Sequence, residues 1–440
     1  MRINRSRIWL IAGVIAFIGV FNCVYVLWLF PHYGYMGFRY EEPPMQYLAL
    51  AWLLTAFPSI FMPVELSRPS QFIYWVLYLI VFIPSIFIPL FVRFSGLSDI
   101  LGLMLSLFVG FMLLGVGYML PLLRFHAPSV SPTVFWSSLT GFTLVLIFAV
   151  ANRFRGALSI VSFSEVYEGK RLAGGELLSG GLVGYAASWL GNILFPLFIA
   201  TGFITRRFAV VALGMAGQVF LYATAGQKGF LIANGIMIVH YIILFRKGAA
   251  FGVKYVWGFT IALIGLLVVA NAIPVEVGGV FFLVLATVFM RIVGIPGQLT
   301  AEYHDFFLNN VHTHFTHVNA IGWFFQYPYD KALGYEVGYY MSTNVDLDAN
   351  ANFWAMDGLA SFGLVGVLMV SLMGAALFWL IDSACRKHDA RFVSLSLTVV
   401  ALSLCNGSLF TAILTGGIVL AVIIWNVMPE LAVETSGRWH

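Results

Sequence analysis

Residues 357–381 read DGLASFGLVGVLMVSLMGAALFWLI, and their single ionisable side chain, Asp357, stands at the first position. A run of about 20 apolar residues matches the hydrocarbon thickness of a bilayer when wound as an α-helix. In lipid, backbone N–H and C=O groups must be paired within the protein, which leaves helices and closed barrels as the spanning structures. Barrel strands alternate over about 10 residues, and this run does not alternate. It reads as a spanning helix.

Comparable runs occupy 8–30, 45–63, 71–92, 99–120, 134–152, 183–201, 208–224, 230–245, 255–273, 392–408 and 410–428. Hydrophobic residues make up 61% of the 440 and charged residues 10%, where soluble chains carry about 25% charge. A soluble enzyme or nucleic-acid-binding protein is excluded. The expected fold class is all-α: a polytopic transmembrane helical bundle of about 12 spans, one integral membrane domain over 1–440. The first run follows three arginines without a small-residue cleavage site and reads as a retained anchor. Cys23, Cys385 and Cys405 lie far apart, fit no metal or disulfide spacing, and read as apolar packing residues.

The run 279–293 is apolar but short and ends at Arg291. It is either a re-entrant half-helix or a further span, and charge discriminates. With 279–293 not crossing and the N-terminus inside, the internal segments hold 14 of the 23 basic residues and five of the 19 acids. The pairs Arg206-Arg207, Arg246-Lys247 and Arg386-Lys387 then lie in short internal loops, as the positive-inside rule requires. A full span would place Arg386, Lys387 and Arg391 outside. The re-entrant reading puts both termini in the cytoplasm.

Two external segments follow from this topology: 153–182, and 279–356, a re-entrant segment plus a large loop. The loop's aromatics, among them Trp323, Tyr327 and Tyr335, argue against disorder and for short amphipathic helices on the outer leaflet. The external cations include Arg153, Arg155, Arg171, Lys228 and Arg291. Arginine donates bidentate bonds to phosphate and stays charged. Lys228 lies in a tight turn leading into a helix, where free N–H groups favour an anion. The plainer alternative has these residues snorkelling to lipid phosphates or pairing with nearby glutamates. Asp346, Asp348 and Asp357 precede or open the span at 357–381 and are candidates for deprotonating a hydroxyl. Asp357 could instead simply cap that helix. His312, His314 and His317 look metal-like in spacing, yet no zinc-type pattern accompanies them. No metal site is expected, and His317 is a candidate base. The spans are nearly free of ionisable groups away from their ends, unlike those of ion-coupled transporters.

With those segments in view, the chain resembles the Wzy-type oligosaccharide repeat-unit polymerases of bacterial O-antigen and capsule pathways. The resemblance covers most of 150–380 and rests on RFRGALSIVSFSEVYEGKR (153–171), QVFLYATAGQKGFLIANG (218–235) and NANFWAMDGLASFGLVGVLM (350–369). It implies a GT-C-like bundle in the bacterial inner membrane with its active site facing the periplasm. The implied reaction is transfer of a growing glycan from undecaprenyl diphosphate to the non-reducing end of a new lipid-linked repeat unit. It needs no cofactor, and the implied partners are the lipid-linked oligosaccharide, membrane lipids and a Wzz-type chain-length regulator. In that scheme Arg153, Arg155, Arg171, Lys228 and Arg291 hold phosphates, while Asp348, Asp357 or His317 orients or deprotonates the acceptor. Two departures stand out: Lys228 replaces an arginine common in the family's turn, and Leu182 stands where an Arg-x10-Gly spacing from Arg171 needs glycine. Competing readings are an O-antigen ligase or another lipid-linked glycosyltransferase, and, from another class, a lipid-linked glycan flippase.

Overall fold

The computed structural model describes residues 5–126, 130–153, 181–226, 228–246, 248–272 and 280–431. Among them all regular structure is helical. Nine helices are long and apolar enough to cross a membrane: α1 (Arg5–Met36), α3 (Pro69–Val92), α4 (Leu97–Met119), α5 (Pro132–Arg153), α6 (Gly181–Ile204), α8 (Lys228–Phe245), α9 (Phe251–Ala272), α12 (Trp354–Ala384) and α14 (Leu409–Val427). Three expected spans take another form. Residues 45–63 and 208–224 fall on shorter apolar helices, α2 (Met45–Ile60) and α7 (Phe208–Thr224). The run 392–408 falls on α13, two seven-residue helices, Ala390–Ser396 and Thr398–Leu404, divided where Leu397 leaves helical geometry at φ −85° and ψ 1°.

At the centre stands α3, buried over the whole of its spanning window. It is apolar all round, as a helix surrounded by other helices must be. Phe21–Phe87 and Tyr25–Phe91 ring pairs, at 5.8 and 5.0 Å, show that α1 and α3 run parallel. Their C-terminal ends define what we call the loop end of the bundle. The opposite end gathers basic residues. There Arg7 donates to the Ser59 and Met62 carbonyls, Arg68 to Leu120 O and Lys254 to Arg246 O. Asp382 accepts from Ser70 N and Oγ at 3.0 and 2.6 Å, which satisfies the first turn of α3.

Four helices widen into a π-turn just ahead of a proline. The turns are Tyr25–Leu29 before Pro31, Tyr78–Phe82 before Pro84, Leu190–Leu194 before Pro196 and Met290–Gly294 before Pro296. A proline ring clashes with the carbonyl four residues back. In each case that carbonyl belongs to the third residue of the π-turn: Leu27, Ile80, Asn192 or Ile292. The wider turn moves the carbonyl out of the ring's way.

Residues 280–309 form one helical stretch, α10, made of Val280–Phe289, the π-turn Met290–Gly294 and Ile295–Asn309. Near its start, Phe282 packs on Trp28 and Tyr33. Near its end, the His304 imidazole meets Ser95 Oγ at 3.3 Å. Tyr33 and Ser95 both lie at the loop end, so both ends of α10 are anchored on that side. Between these points Gly297 presses on the Pro84 carbonyl, which a Cβ at that position would approach to 2.4 Å. The sequence reading ended the apolar element at 293 and began the loop there; instead 295–309 is largely buried helix. Its polar residues misled because they face partners. Thr300 bonds Ser85 and Asn352, and Gln298 bonds Glu302 and the Gly37 carbonyl.

The segment 357–381 is not one straight span either. At Phe362 (φ −146°, ψ 27°) and Gly363 (φ 57°, ψ −136°) α12 breaks, and the chain reverses. Trp354 Nε1 donates to Ser371 Oγ at 2.9 Å. A Cβ on Gly366 would come within 2.0 Å of Gly358 O, and one on Gly358 within 3.0 Å of Val367 Cα. Residues 354–361 therefore lie antiparallel against 364–384 as a short re-entrant arm. Glycines let the two backbones touch, as small residues do at membrane helix contacts. Residues 364–384 are the spanning part.

Candidate functional site

The reversal at Phe362 creates a local problem. The arm 354–361 ends with the Ala360 and Ser361 carbonyls stripped of helical partners, and orphan carbonyls on buried residues must be met. The large loop meets them. Thr313 N donates to Ala360 O at 2.8 Å, His314 N to Ser361 O at 3.3 Å, and Phe315 N to Ser361 Oγ at 3.2 Å. To present these N–H groups, His314 and Phe315 adopt φ of 50° and 64°, a conformation that costs bulky residues energy. Both rings pack on Phe362, at 5.0 and 5.5 Å. At its start the arm is closed by Asn352, whose Oδ1 accepts from Trp354 N and Ala355 N.

His317 completes the clamp. Its Nδ1 lies 2.8 Å from Thr313 Oγ1 and its Nε2 3.2 Å from Asp357 Oδ1. Asp357 is fully buried, and its other oxygen accepts from Leu409 N, the first N–H of α14, at 2.6 Å. A carboxylate at a helix N-terminus is favoured by the N–H groups and the dipole there. Asp357 thus caps a neighbouring helix from inside its own, rather than opening the span 357–381. Both ring nitrogens of His317 are engaged in holding the loop.

Beneath this clamp lies a cavity of about 470 Å³, a size within the small-molecule range. His317 and Thr316 line one side, and Trp323, Tyr327 and Tyr335 supply aromatic surface. Asp330, Lys331, Asp348 and Asn350 supply charge and hydrogen-bonding groups. Asp348 accepts from Asn350 Nδ2 at 2.5 Å. Its approach depends on Gly334 in α11 (Leu333–Ser342), because a Cβ there would fall 2.0 Å from Asp348 Oδ1. Ala349 N donates to Gly334 O at 2.9 Å and locks the two segments together. On the outer side of α11, Tyr340 donates to Asp305 at 2.6 Å, and that bond pushes the phenol up to about 12. Deeper in α10, burial pushes the Glu302 carboxyl up to about 8.

The three carboxylate and imidazole candidates come together. Asp348 and His317 line one cavity, and Asp357 stands directly behind His317. They divide by access: Asp348 is at the cavity surface, whereas Asp357 is sealed off and His317 is held at both nitrogens. The cations do not join them. Arg153 is exposed at the end of α5, Lys228 starts α8, and Arg291 is exposed in the π-turn of α10. None of the three lines the cavity. Arg155 and Arg171 lie outside the described residues. Lys331 is the described cation that does line the cavity, with Nζ 5.2 Å from the Tyr339 ring centre. Asp330 and Asn350 also line it and were not singled out from sequence; Asn350 opens the NANFWAMDG motif, which was the available signal. The histidines of 312–317 serve separate tasks. His314 packs at the reversal and His317 holds the clamp. His312 lines a second, smaller cavity of about 290 Å³ with His304 and Phe307. Among the described residues no three His, Cys, Asp or Glu side chains are grouped to hold a metal ion.

Set against family models, curated proteins and solved structures, the chain matches none of them. What the fold defines is a multi-pass helical membrane protein that gathers loop-borne polar and aromatic groups at one end.

Proposed function

We propose that the chain is a lipid-linked oligosaccharide polymerase of the bacterial inner membrane, with its loop end in the periplasm and both termini in the cytoplasm. It transfers a growing glycan from undecaprenyl diphosphate to the non-reducing end of a new undecaprenyl-diphosphate-linked repeat unit. The observation that carries this reading is the cavity: two accessible carboxylates, Asp330 and Asp348, among aromatic and hydrogen-bonding groups, built by a loop that is pinned to a membrane bundle.

In the proposed reaction the acceptor hydroxyl gives its proton to Asp348 while its oxygen bonds to the donor's anomeric carbon. The bond from that carbon to the diphosphate oxygen breaks, and the lipid diphosphate leaves with the electron pair. Neutralising the leaving group is electrostatic work that fixed cations perform. We assign it to Arg153, Arg155, Arg171, Lys228 and Arg291 as a set. His317 and Asp357 position the loop. A Wzz-type chain-length regulator is the partner this reading implies.

The test is reconstitution in liposomes with one synthetic undecaprenyl-diphosphate repeat unit. A product ladder at multiples of the unit is expected, and Asp348→Asn is expected to lower its rate about 10²–10⁴-fold. Transfer only onto supplied lipid A core would make the protein a ligase. Movement of the lipid without a product would make it a flippase.

A further inference from the structure

We infer that the cavity beneath the loop is the acceptor's subsite, that it takes neutral sugar rings stacked on Trp323, and that it excludes the diphosphate. This assignment rests on the polymerase reading and specifies which end of the substrate enters the cavity.

Three observations carry it. Trp323 lines the cavity and is 82% exposed, so it presents a broad apolar face at the rim. A pyranose ring offers a complementary apolar C–H face and a rim of hydroxyls. Next, the Tyr327 hydroxyl is buried without a hydrogen-bond partner among the described residues, although the ring lines the cavity. Buried polar groups are overwhelmingly paired, and a ligand hydroxyl is the partner that this position can receive. Finally, the charge is wrong for an anion. Asp330 and Asp348 face the cavity against a single ammonium, Lys331, and like charges brought together in a partly desolvated site repel. Donors and acceptors are both present, as a polyhydroxyl ligand needs, but no excess of positive charge is.

A consequence for chemistry follows. With the non-reducing end of the acceptor in the cavity, its hydroxyl lies beside Asp348, and the donor's diphosphate stays outside, toward the membrane-borne cations. The cavity then selects the sugar, and the bundle holds the lipid.

The probe is the oligosaccharide freed by mild acid from the lipid-linked fraction of a host strain lacking the protein. Its binding to the full chain in nanodiscs is followed by saturation-transfer NMR and calorimetry. Binding without any lipid or phosphate is expected, and excess inorganic pyrophosphate should leave it unchanged. Trp323→Ala should weaken it at least about tenfold, the scale of an aromatic anchor. Tyr327→Phe, a change that leaves the packing intact, should weaken it several-fold. Binding that survives Trp323→Ala, or that pyrophosphate displaces, would overturn the inference. If the protein polymerises in liposomes but the freed glycan does not bind, the subsite assignment fails while the polymerase reading stands. If the glycan binds and no ladder forms, the cavity is a sugar site, but the polymerase reading fails and the acceptor role fails with it.

Discussion

Two π-turns face each other at the middle of this protein, and they are made differently. In α3, Tyr78–Phe82 widens because Pro84 follows; in α12, Trp354–Leu359 widens with no proline after it. The Phe82 and Trp354 rings lie 6.4 Å apart. The first turn is built covalently into the chain and needs nothing beyond it. The second is imposed from outside, by Asn352 below, by the 313–317 loop above and by the contact of Asp357 with α14. Irregular backbone held by tertiary contacts is what functional sites commonly show. The borrowed turn is the one beside the cavity, and the built-in turn is its rigid backing.

The comparison breaks most severely at Asp357. Asp357→Ala strips His317 Nε2 and Leu409 N of their partner inside the bundle, a change worth about 3 kcal/mol or more. The expected result is a large drop in the thermal midpoint in detergent together with loss of polymer formation. Asp357→Asn keeps an acceptor for Leu409 N and should recover much of the stability. If Asp357→Ala melts like the parent, the arm is not held as described.

Next in size is Gly363→Ala. Its φ of 57° with ψ of −136° is open to glycine, and a Cβ there would sit 2.9 Å from His312 Nε2. A cost of about 1–3 kcal/mol is expected, read by chemical denaturation in mild detergent. Limited proteolysis should then cut the 310–317 segment sooner, since the reversal and the loop hold each other. Unchanged proteolysis would separate the two.

These contrasts also explain what could be read from sequence. The apolar runs announce the helices because lipid permits so little else, but they count twelve spans where nine helices among the described residues have spanning length. The four π-turns ahead of prolines have a physical reason in the carbonyl four residues back, but Pro89 sits inside α3 without one, so a proline alone does not announce them. The reversal at 362–363 is not legible, since DGLASFGLVG has the composition of an ordinary span and its hairpin comes from Gly358 touching Gly366. Nor is the burial of Gln298, Thr300 and Glu302, whose polarity suggested a loop until their partners were known. At the site, Asp348, Asp357 and His317 are legible by their chemistry, and the structure supplies the distinction between them. The cations stand out in sequence by their charge alone, and position is what a single sequence does not carry.

A smaller effect sharpens the role of α10, which braces both π-turns through Thr300. Burial raises the Glu302 carboxyl to about 8, above its ordinary value of 4.5. The folded protein therefore keeps a proton that the unfolded chain has released. The sign follows: this stability is fully present below the unfolded value and is lost as pH rises through about 8. The thermal midpoint should fall as pH rises from about 4.5 to about 8 and level off above that, and Glu302→Gln should flatten that fall. A parallel decline in the variant would assign it to another group.

The smallest effect belongs to the built-in turn. Pro84→Ala restores a backbone N–H in α3 and removes the ring that displaces the Ile80 carbonyl, so part of the π-turn can relax toward regular helix. Because α3 is buried throughout its window, neighbours that already fit the wide turn oppose that relaxation. Gly297 against the Pro84 carbonyl is one such contact, since a Cβ there would approach it to 2.4 Å. Gain of a hydrogen bond and loss of packing then nearly offset, and the midpoint should move by no more than about 1 kcal/mol equivalent. Polymer formation should continue. A large loss of activity with stability intact would mean that the proline-made turn is itself tuned to the site, and that the division between backing and borrowed turn is drawn in the wrong place.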